Sequence, residues 1–456
     1  MNAPTNEGLP ARRAALAALR SVDEDDAWSN LAVPAAIEAL PDQRDRAFAA
    51  HLAYDTLRFD GTLRWMLAER LSRPLEDVEP ALQRVLLLGA LQLLRTGVPA
   101  RAAVSTCAAL AREQVPRKRA DGAAGFVNGV LRSLSRGIDH LPWPTLEDHP
   151  VRAMALRSGH PDWIVEDLRT RHDDERVAGV LAADNEPPGV TLRATGDRDA
   201  LLTELLKLGL DARLGSTAEA IRVPGADPRR LDAVSAGRAV VQDEASMEVV
   251  DATGVRAGDR VLDLCAGPGG KATHLARLAG PDGQVTAIEL HRHRAELIRQ
   301  AAARQSQVID VRVGDATAPP LPADATYDAV LLDAPCTGLG TGRRRPEVRW
   351  RRRPEDVAGL AALQVQLLEA AAPRVAAGGR LTYAVCTWTA GETTGVIDAT
   401  RAHLDGLGFT ATSTRQLLPD TDDTDGMFIA TWRRDAAVGA DAADGADAPD
   451  AAATTG

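Results

Sequence analysis

Val261-Leu262-Asp263-Leu264-Cys265-Ala266-Gly267-Pro268-Gly269-Gly270-Lys271 reads as a buried strand that runs into a glycine-rich turn and then a helix. In open α/β sheets a ligand sits outside the carboxyl ends of such strands. Glycines let the backbone approach the ligand, and the helix N-terminus offers free N–H groups to a carboxylate or phosphate. Taken alone, such a turn serves packing or a dinucleotide equally well. Around it, from about Ala239, strand and helix patterns alternate, the signature of a doubly wound α/β sheet. Strands are expected at Arg260–Leu264, Gln284–Glu289, Asp310–Val313, Ala329–Asp333 and Arg380–Val385, with a closing strand near Met427–Trp432. Helices are expected at Lys271–Leu278, Arg292–Ala303, Glu355–Ala376 and Glu392–Leu404.

Two acids sharpen the reading of the turn. Glu289 ends the next strand, where an acidic side chain can take both hydroxyls of a ribose. Asp315 follows the third strand in Val313-Gly314-Asp315-Ala316, placed to reach an adenine amino group. Either acid alone is most simply a solvated strand-end carboxylate. Glycine turn, Glu289 and Asp315 in order after three successive strands make a nucleoside site.

Two cysteines stand at later strand ends. Leu331-Leu332-Asp333-Ala334-Pro335-Cys336-Thr337-Gly338 puts an Asp and a Cys at the end of the fourth strand. Leu381-Thr382-Tyr383-Ala384-Val385-Cys386-Thr387 puts a second Cys at the end of the next. An isolated cysteine is usually a small buried hydrophobe. Two at adjacent strand ends, on the edge that holds a nucleoside, point to reactive thiols. No CxxC pair occurs among Cys107, Cys265, Cys336 and Cys386, so neither a disulfide framework nor a metal site is expected.

Composition sets the frame. The 456 residues, 45% hydrophobic and 26% charged, exceed one ordinary core. No apolar run is long enough to span a membrane and no signal peptide is visible, so a cytoplasmic protein is expected, with monomer as the default. The net charge of −11 argues against a nucleic-acid partner until its distribution is read. Arg343, Arg344, Arg345, Arg349, Arg351, Arg352 and Arg353 fall within eleven residues, against one acid, Glu347. Arginine clusters are commonly solvated faces. Beside a site loop, this one is also a candidate phosphate-contacting patch, with Arg343, Arg344, Arg345 and Arg349 as its RNA-binding residues.

Four segments are expected. Residues 1–140 are helical, with apolar spacings of three and four and breaks at Pro41, Pro74, Pro80 and Pro99 that divide six or seven helices. Residues 141–238 hold a proline-rich linker, within 138–160, and a small α+β module. Residues 239–434 form the Rossmann-like sheet. Residues 435–456, rich in Ala, Asp and Gly, form a disordered acidic tail.

The catalytic half resembles the NOL1/NOP2/Sun family of RNA cytosine-5 methyltransferases. The matching stretches are 263–271 (DLCAGPGGK), 333–338 (DAPCTG), 343–350 (RRRPEVRW), 383–388 (YAVCTW) and 424–430 (TDGMFIA). The resemblance extends to about residues 9–434. Gln43–Phe48, Tyr54–Arg58 and Phe126–Arg132 resemble the NusB-like RNA-binding domain. His160–Trp163, Asn185–Pro188 and Val241–Ser246 resemble the connecting region of the same enzymes.

The resemblance implies a class I methyltransferase fold, S-adenosylmethionine as cofactor and RNA as substrate. A NusB-like domain ahead of the catalytic domain implies 16S ribosomal RNA, with transfer RNA as the alternative. It further implies that Cys386 is the nucleophile and Cys336 assists release. Asp333 would serve both base and cofactor. The turn Cys265, Ala266, Gly267, Pro268, Gly269, Gly270 and Lys271, with Glu289 and Asp315, would hold the cofactor. The chemistry accounts for the thiol. Carbon 5 of cytosine cannot attack a methyl sulfonium directly, but a thiolate adding to carbon 6 makes a nucleophilic enamine.

Two departures stand out. Val385 occupies the place of the family's usual Thr, and the usual acidic-Asn-Glu run after the nucleophile is reduced to Gly391-Glu392-Thr393-Thr394. Two rivals remain at this level. A DNA cytosine-5 enzyme would use the Pro-Cys cysteine as nucleophile, and a non-catalytic RNA-binding factor would keep the fold without the chemistry.

Overall fold

The computed structural model describes residues 8–436, so the expected acidic tail lies almost wholly outside the described residues. Seven helices form the N-terminal bundle: Leu9–Glu24, Ser29–Ile37, Gln43–Arg58, Asp60–Ala68, Pro80–Arg95, Ala100–Glu113 and Ala120–Gly137. The prolines read as breaks lie between helices or at their first turn, where a missing N–H costs nothing. The helix Pro80–Arg95 runs through the middle of the bundle, with Val85, Leu86, Leu88 and Leu91 fully buried.

The linker expected within 138–160 is not all linker. Pro150–Ser158 is a helix, opened by Pro150 and closed by Gly159 in the left-handed conformation. Its Met154 and Ala155 join Ile164, Val165, Trp388 and Leu339 in one core. Proline at the first helical position and glycine just past the last are start and stop signals, here read as breakers.

A four-stranded antiparallel sheet follows, ordered β2-β3-β1-β4. Its strands are β1 (Val190–Ala194), β2 (Arg213–Leu214), β3 (Ala220–Val223) and β4 (Ala239–Val241). The catalytic sheet has seven: β5 (Arg260–Asp263), β6 (Gln284–Glu289), β7 (Asp310–Val313), β8 (Tyr327–Asp333), β9 (Val375–Val385), β10 (Phe409–Leu417) and β11 (Met427–Arg434). Their order is β10-β11-β9-β8-β5-β6-β7. β5 to β9 are parallel, while β11 runs antiparallel to both neighbours. The order reverses at β5, so its carboxyl end is the switch point where open sheets bind ligands.

One expectation is corrected here, and one strand lies outside any expectation. The helix expected over Glu355–Ala376 ends at Ala371, because Pro373 cannot continue it, and Val375–Ala376 already belong to β9. Strand β10 carries no readable alternation. It is an edge strand with Thr410 to Arg415 exposed, so no buried face imposes a pattern on its sequence.

Candidate active site

Strand β5 delivers the turn. A side-chain carbon at Gly267 would collide with the Glu289 carboxylate, and Gly269, at φ 107°, presses on the backbone of Ile298. Both positions are closed to other residues. Glu289, 3% exposed, accepts hydrogen bonds from the N–H groups of Gly267 (3.1 Å) and His291 (2.9 Å). Asp315 is exposed, and Thr317 donates to it through both N–H and hydroxyl, which holds its carboxyl below the usual range. Cys265, Gly267, Glu289, Asp315, Asp333, Cys336 and Cys386 line one cavity of about 410 Å³. The bare backbone at Gly267 and the carboxylate behind it form a cradle that fits the ribose and carboxylate ends of a nucleoside cofactor.

The thiol pair lies at the far end of that cavity. The Sγ atoms of Cys336 and Cys386 are 3.4 Å apart. Either sulfur can donate across this gap. The hydrogen bond with Cys336 lowers the Cys386 pKa against the opposing effect of burial and with help from Lys271. The same bond, with burial, pushes the Cys336 thiol up. The two sulfurs are therefore unequal: one poised to ionise, one held protonated. Burial drives Cys107 up to about 12 and raises Cys265 as well, so neither competes.

Beside the thiols, Lys271 Nζ donates to Asp333 at 2.7 Å. Burial opposes the lysine's charge, but Asp333 outweighs it and the ammonium ends above its ordinary pKa. Asp263, at the end of β5, is fully buried, and burial together with Asp333 pushes it up to about 7.

Glu392 is the residue that sequence reading passed over. Its buried carboxylate accepts from Thr337 N–H (2.7 Å), Thr337 hydroxyl (2.6 Å), Thr389 hydroxyl (2.7 Å) and Gln364 Nε2 (3.1 Å). Thr337 follows one thiol, and its hydroxyl lies 2.8 Å from that of Thr387, which follows the other. Gly340 N–H donates to the Cys386 carbonyl at 3.0 Å. Glu392 thus pins both cysteine loops to one point. The signal was present in the Gly391–Thr394 run, but it read as a depleted motif. Val385 is fully buried beside Leu381 and Tyr383, so its place is taken by packing.

The arginine cluster is not the open patch the sequence suggested. Arg343 is buried against the Glu186 carbonyl (3.1 Å) and Asp423 (3.1 Å). Arg344 bridges Asp243 (2.6 Å) and Asp425 (3.0 Å), which raise its pKa despite burial. Arg349, 1% exposed, is held by Asp184 and by Asn185 at 2.8 Å, and burial lowers it to about 10. Three of the four expected RNA contacts therefore spend their charge inside the protein. Excess guanidinium near buried carboxylates pairs with them rather than with solvent. With Trp350, which donates to the Leu57 carbonyl at 2.7 Å, and Glu347, which accepts from Ser29 N–H at 2.8 Å, they form a strut into the helical bundle. Arg345 differs: it stacks on Trp28 at 5.3 Å and pairs with no carboxylate among the described residues.

No helix of the described residues is long and apolar enough to cross a membrane. Among them, no group of three or more His, Cys, Asp or Glu side chains is arranged to hold a metal ion.

Three family models match the chain. The family described as 16S rRNA methyltransferase RsmB/F matches residues 252–433, the NusB family matches 9–136, and an RsmF/B-like ferredoxin-like domain matches 160–228. The chain is 39% identical to a putative methyltransferase of Mycobacterium tuberculosis, Rv1407, over 93% of this chain and 96% of that protein. It is 32% identical to the probable ribosomal RNA small subunit methyltransferase B of Bacillus subtilis, over 93% and 98% respectively. Among solved structures, PH0851 superposes with a TM-score of 0.82 at 24% identity, covering 93% of this chain and 99% of that one. NSun6 from Pyrococcus horikoshii with SFG gives 0.55 at 20% identity, covering 60% and 98%.

Proposed function

This chain belongs to the RsmB/F family of S-adenosylmethionine-dependent methyltransferases, and from that premise we propose that it methylates carbon 5 of a cytidine in 16S ribosomal RNA through a covalent bond from Cys386 to carbon 6. The observation that carries the reading is the unequal thiol pair, 3.4 Å apart, at the edge shared with Asp333 and Lys271.

The steps follow from those groups. The Cys386 thiolate, kept low by the Cys336 S–H, adds to carbon 6 of the base. Asp333, with the Lys271 ammonium beside it as proton source, takes the N3 and amino edge and stabilises the enamine. S-adenosylmethionine, which the Cys265–Lys271 turn, Glu289 and Asp315 would hold, would supply an electrophilic methyl group to carbon 5, with S-adenosylhomocysteine as the leaving group. Carbon 5 then gives up its proton to water acting as base, that bond's electron pair forms the carbon 5–carbon 6 double bond, and the Cys386 sulfur leaves with the carbon 6–sulfur pair. Cys336 S–H hydrogen-bonds that departing sulfur and eases release. The target base must be unpaired or flipped to reach the thiols. In this reading residues 1–140 bind RNA, 141–238 connect, and 239–434 carry the transfer.

Bisulfite sequencing of total RNA with and without the protein tests it. A cytidine in 16S RNA should lose protection when the protein is absent or carries Cys386→Ser. Protection lost in a transfer RNA instead would move the substrate, and no change in any RNA would overturn the reading.

A further inference from the structure

A second cavity, of about 810 Å³, opens on the other side of Asp333 and Lys271. All three parts of the chain wall it: Asn30, His51 and Tyr54 from the bundle, Pro188 and Val241 from the small sheet's region, and the cofactor turn. It is twice the size of the cofactor cavity, and the two meet at Cys265, Gly267, Asp333, Thr341 and Arg345. A base held at Cys386 and Asp333 therefore sits on the seam, and the chain of nucleotides that carries it has room on the bundle side.

The walls suit an unpaired nucleotide. Tyr54 supplies an aromatic ring; burial foremost, and then Glu347, push its hydroxyl up to about 12, so it stays a neutral phenol. Val241 is 47% exposed and Pro188 lies near it in the wall, an apolar surface of the kind a base face covers. Sequence-specific RNA recognition places splayed bases on aromatic and apolar side chains in this way. Arg345 stands at the seam. Of the cluster it alone lines both cavities without a carboxylate partner among the described residues, and its guanidinium carbon lies over the Trp28 ring of the bundle, 5.3 Å from the centroid. An unpaired, pre-oriented guanidinium between two nucleotide-sized spaces is what a bridging phosphate requires.

We propose that this cavity is a second RNA subsite: it receives the nucleotide adjoining the methylated one, with Arg345 gripping the phosphate between them and the helical bundle reading the neighbour through Tyr54. The proposal builds on the RNA reading above and adds that the bundle sets sequence context at the active site.

The test uses the full chain, S-adenosylhomocysteine and a fluorescent single-stranded RNA library with one fixed cytidine flanked by random nucleotides. Arg345→Ala should weaken RNA binding about tenfold and flatten its salt dependence by roughly one phosphate contact, with Arg345→Lys recovering part of both. Tyr54→Ala should lower the melting temperature, because its ring packs on the bundle core, but leave S-adenosylhomocysteine affinity unchanged and flatten the base preference at one flanking position when bound RNAs are sequenced. Unaltered affinity in Arg345→Ala and unaltered preference in Tyr54→Ala would overturn the subsite. The binding readouts do not depend on the methylation chemistry. A chain that bound RNA as described but formed no Cys386 adduct would sink the catalytic reading and leave the subsite standing.

Discussion

Cys336 Sγ lies 3.4 Å from Cys386 Sγ, close enough for either sulfur to donate to the other, yet the two thiols are unequal. That bond and burial hold Cys336 as a thiol, while the same bond eases Cys386 toward thiolate. Replacing Cys336 by Ala removes the bond. The pH at which Cys386 ionises should then rise, since the thiolate loses the bond that favoured it. Alkylation by iodoacetamide as a function of pH would show the reactive limb displaced to higher pH. A displacement to lower pH would contradict the assigned direction.

The same pair divides the labour of release. Cys336→Ala should accumulate a denaturation-stable protein–RNA adduct, and Cys386→Ala should form none, as read on denaturing gels with labelled RNA. An adduct on the Cys386→Ala protein would exchange the two roles.

Glu392 accepts four hydrogen bonds, three from the two cysteine loops and one from Gln364. Glu392→Ala leaves several buried donors without partners, at about 1–3 kcal/mol apiece before relaxation. Urea denaturation should show a loss on the order of 3 kcal/mol. Glu392→Gln should cost less stability and still slow adduct formation, because one of its amide atoms must face a donor.

Gly267→Ala should weaken cofactor binding by tenfold or more, since the added carbon meets the Glu289 carboxylate. Calorimetric titration with S-adenosylhomocysteine would measure it, and an unchanged affinity would remove the turn from the cofactor site.

His160 is buried at 3% exposure and bonded to Asp184 through Nε2 at 3.1 Å. Burial and Arg349 lower its pKa to about 4. A histidine depressed in the folded state binds its proton more readily unfolded, so its contribution is complete above about 6.5 and lost as pH falls toward 4. The loss is on the order of 3 kcal/mol. His160→Gln should flatten the stability profile across that window, measured by urea denaturation at successive pH values.

Legibility followed burial and chemistry. Strands β5, β6 and β8 were readable because both faces are covered along most of their length. Glu289, Asp333, Cys336 and Cys386 were readable because strand ends of one sheet share an edge, so order along the chain becomes proximity. Strand β10 was not, having no buried face to write a pattern. Glu392 was missed because its partners, Thr337, Thr389 and Gln364, come from separate segments and no spacing announces them. The arginines were misread for the opposite reason. A local run of charge is conspicuous, while the carboxylates that neutralise it, Asp184, Asp243, Asp423 and Asp425, are scattered over more than two hundred residues.

The strut from Arg343 to Trp350 begins six residues after Thr337, whose hydroxyl and N–H are fixed to Glu392. Its far end is seated in the bundle through Trp350 on Gly61 and Leu57, and through Glu347 on Ser29. The thiol loop and the helical bundle are therefore one rigid lever with no slack between its arms. The bundle cannot be exchanged for another RNA-gripping module while the catalytic sheet is left as it is. A graft would have to bring its own socket for an indole and a carboxylate, or the thiols would lose their spacing.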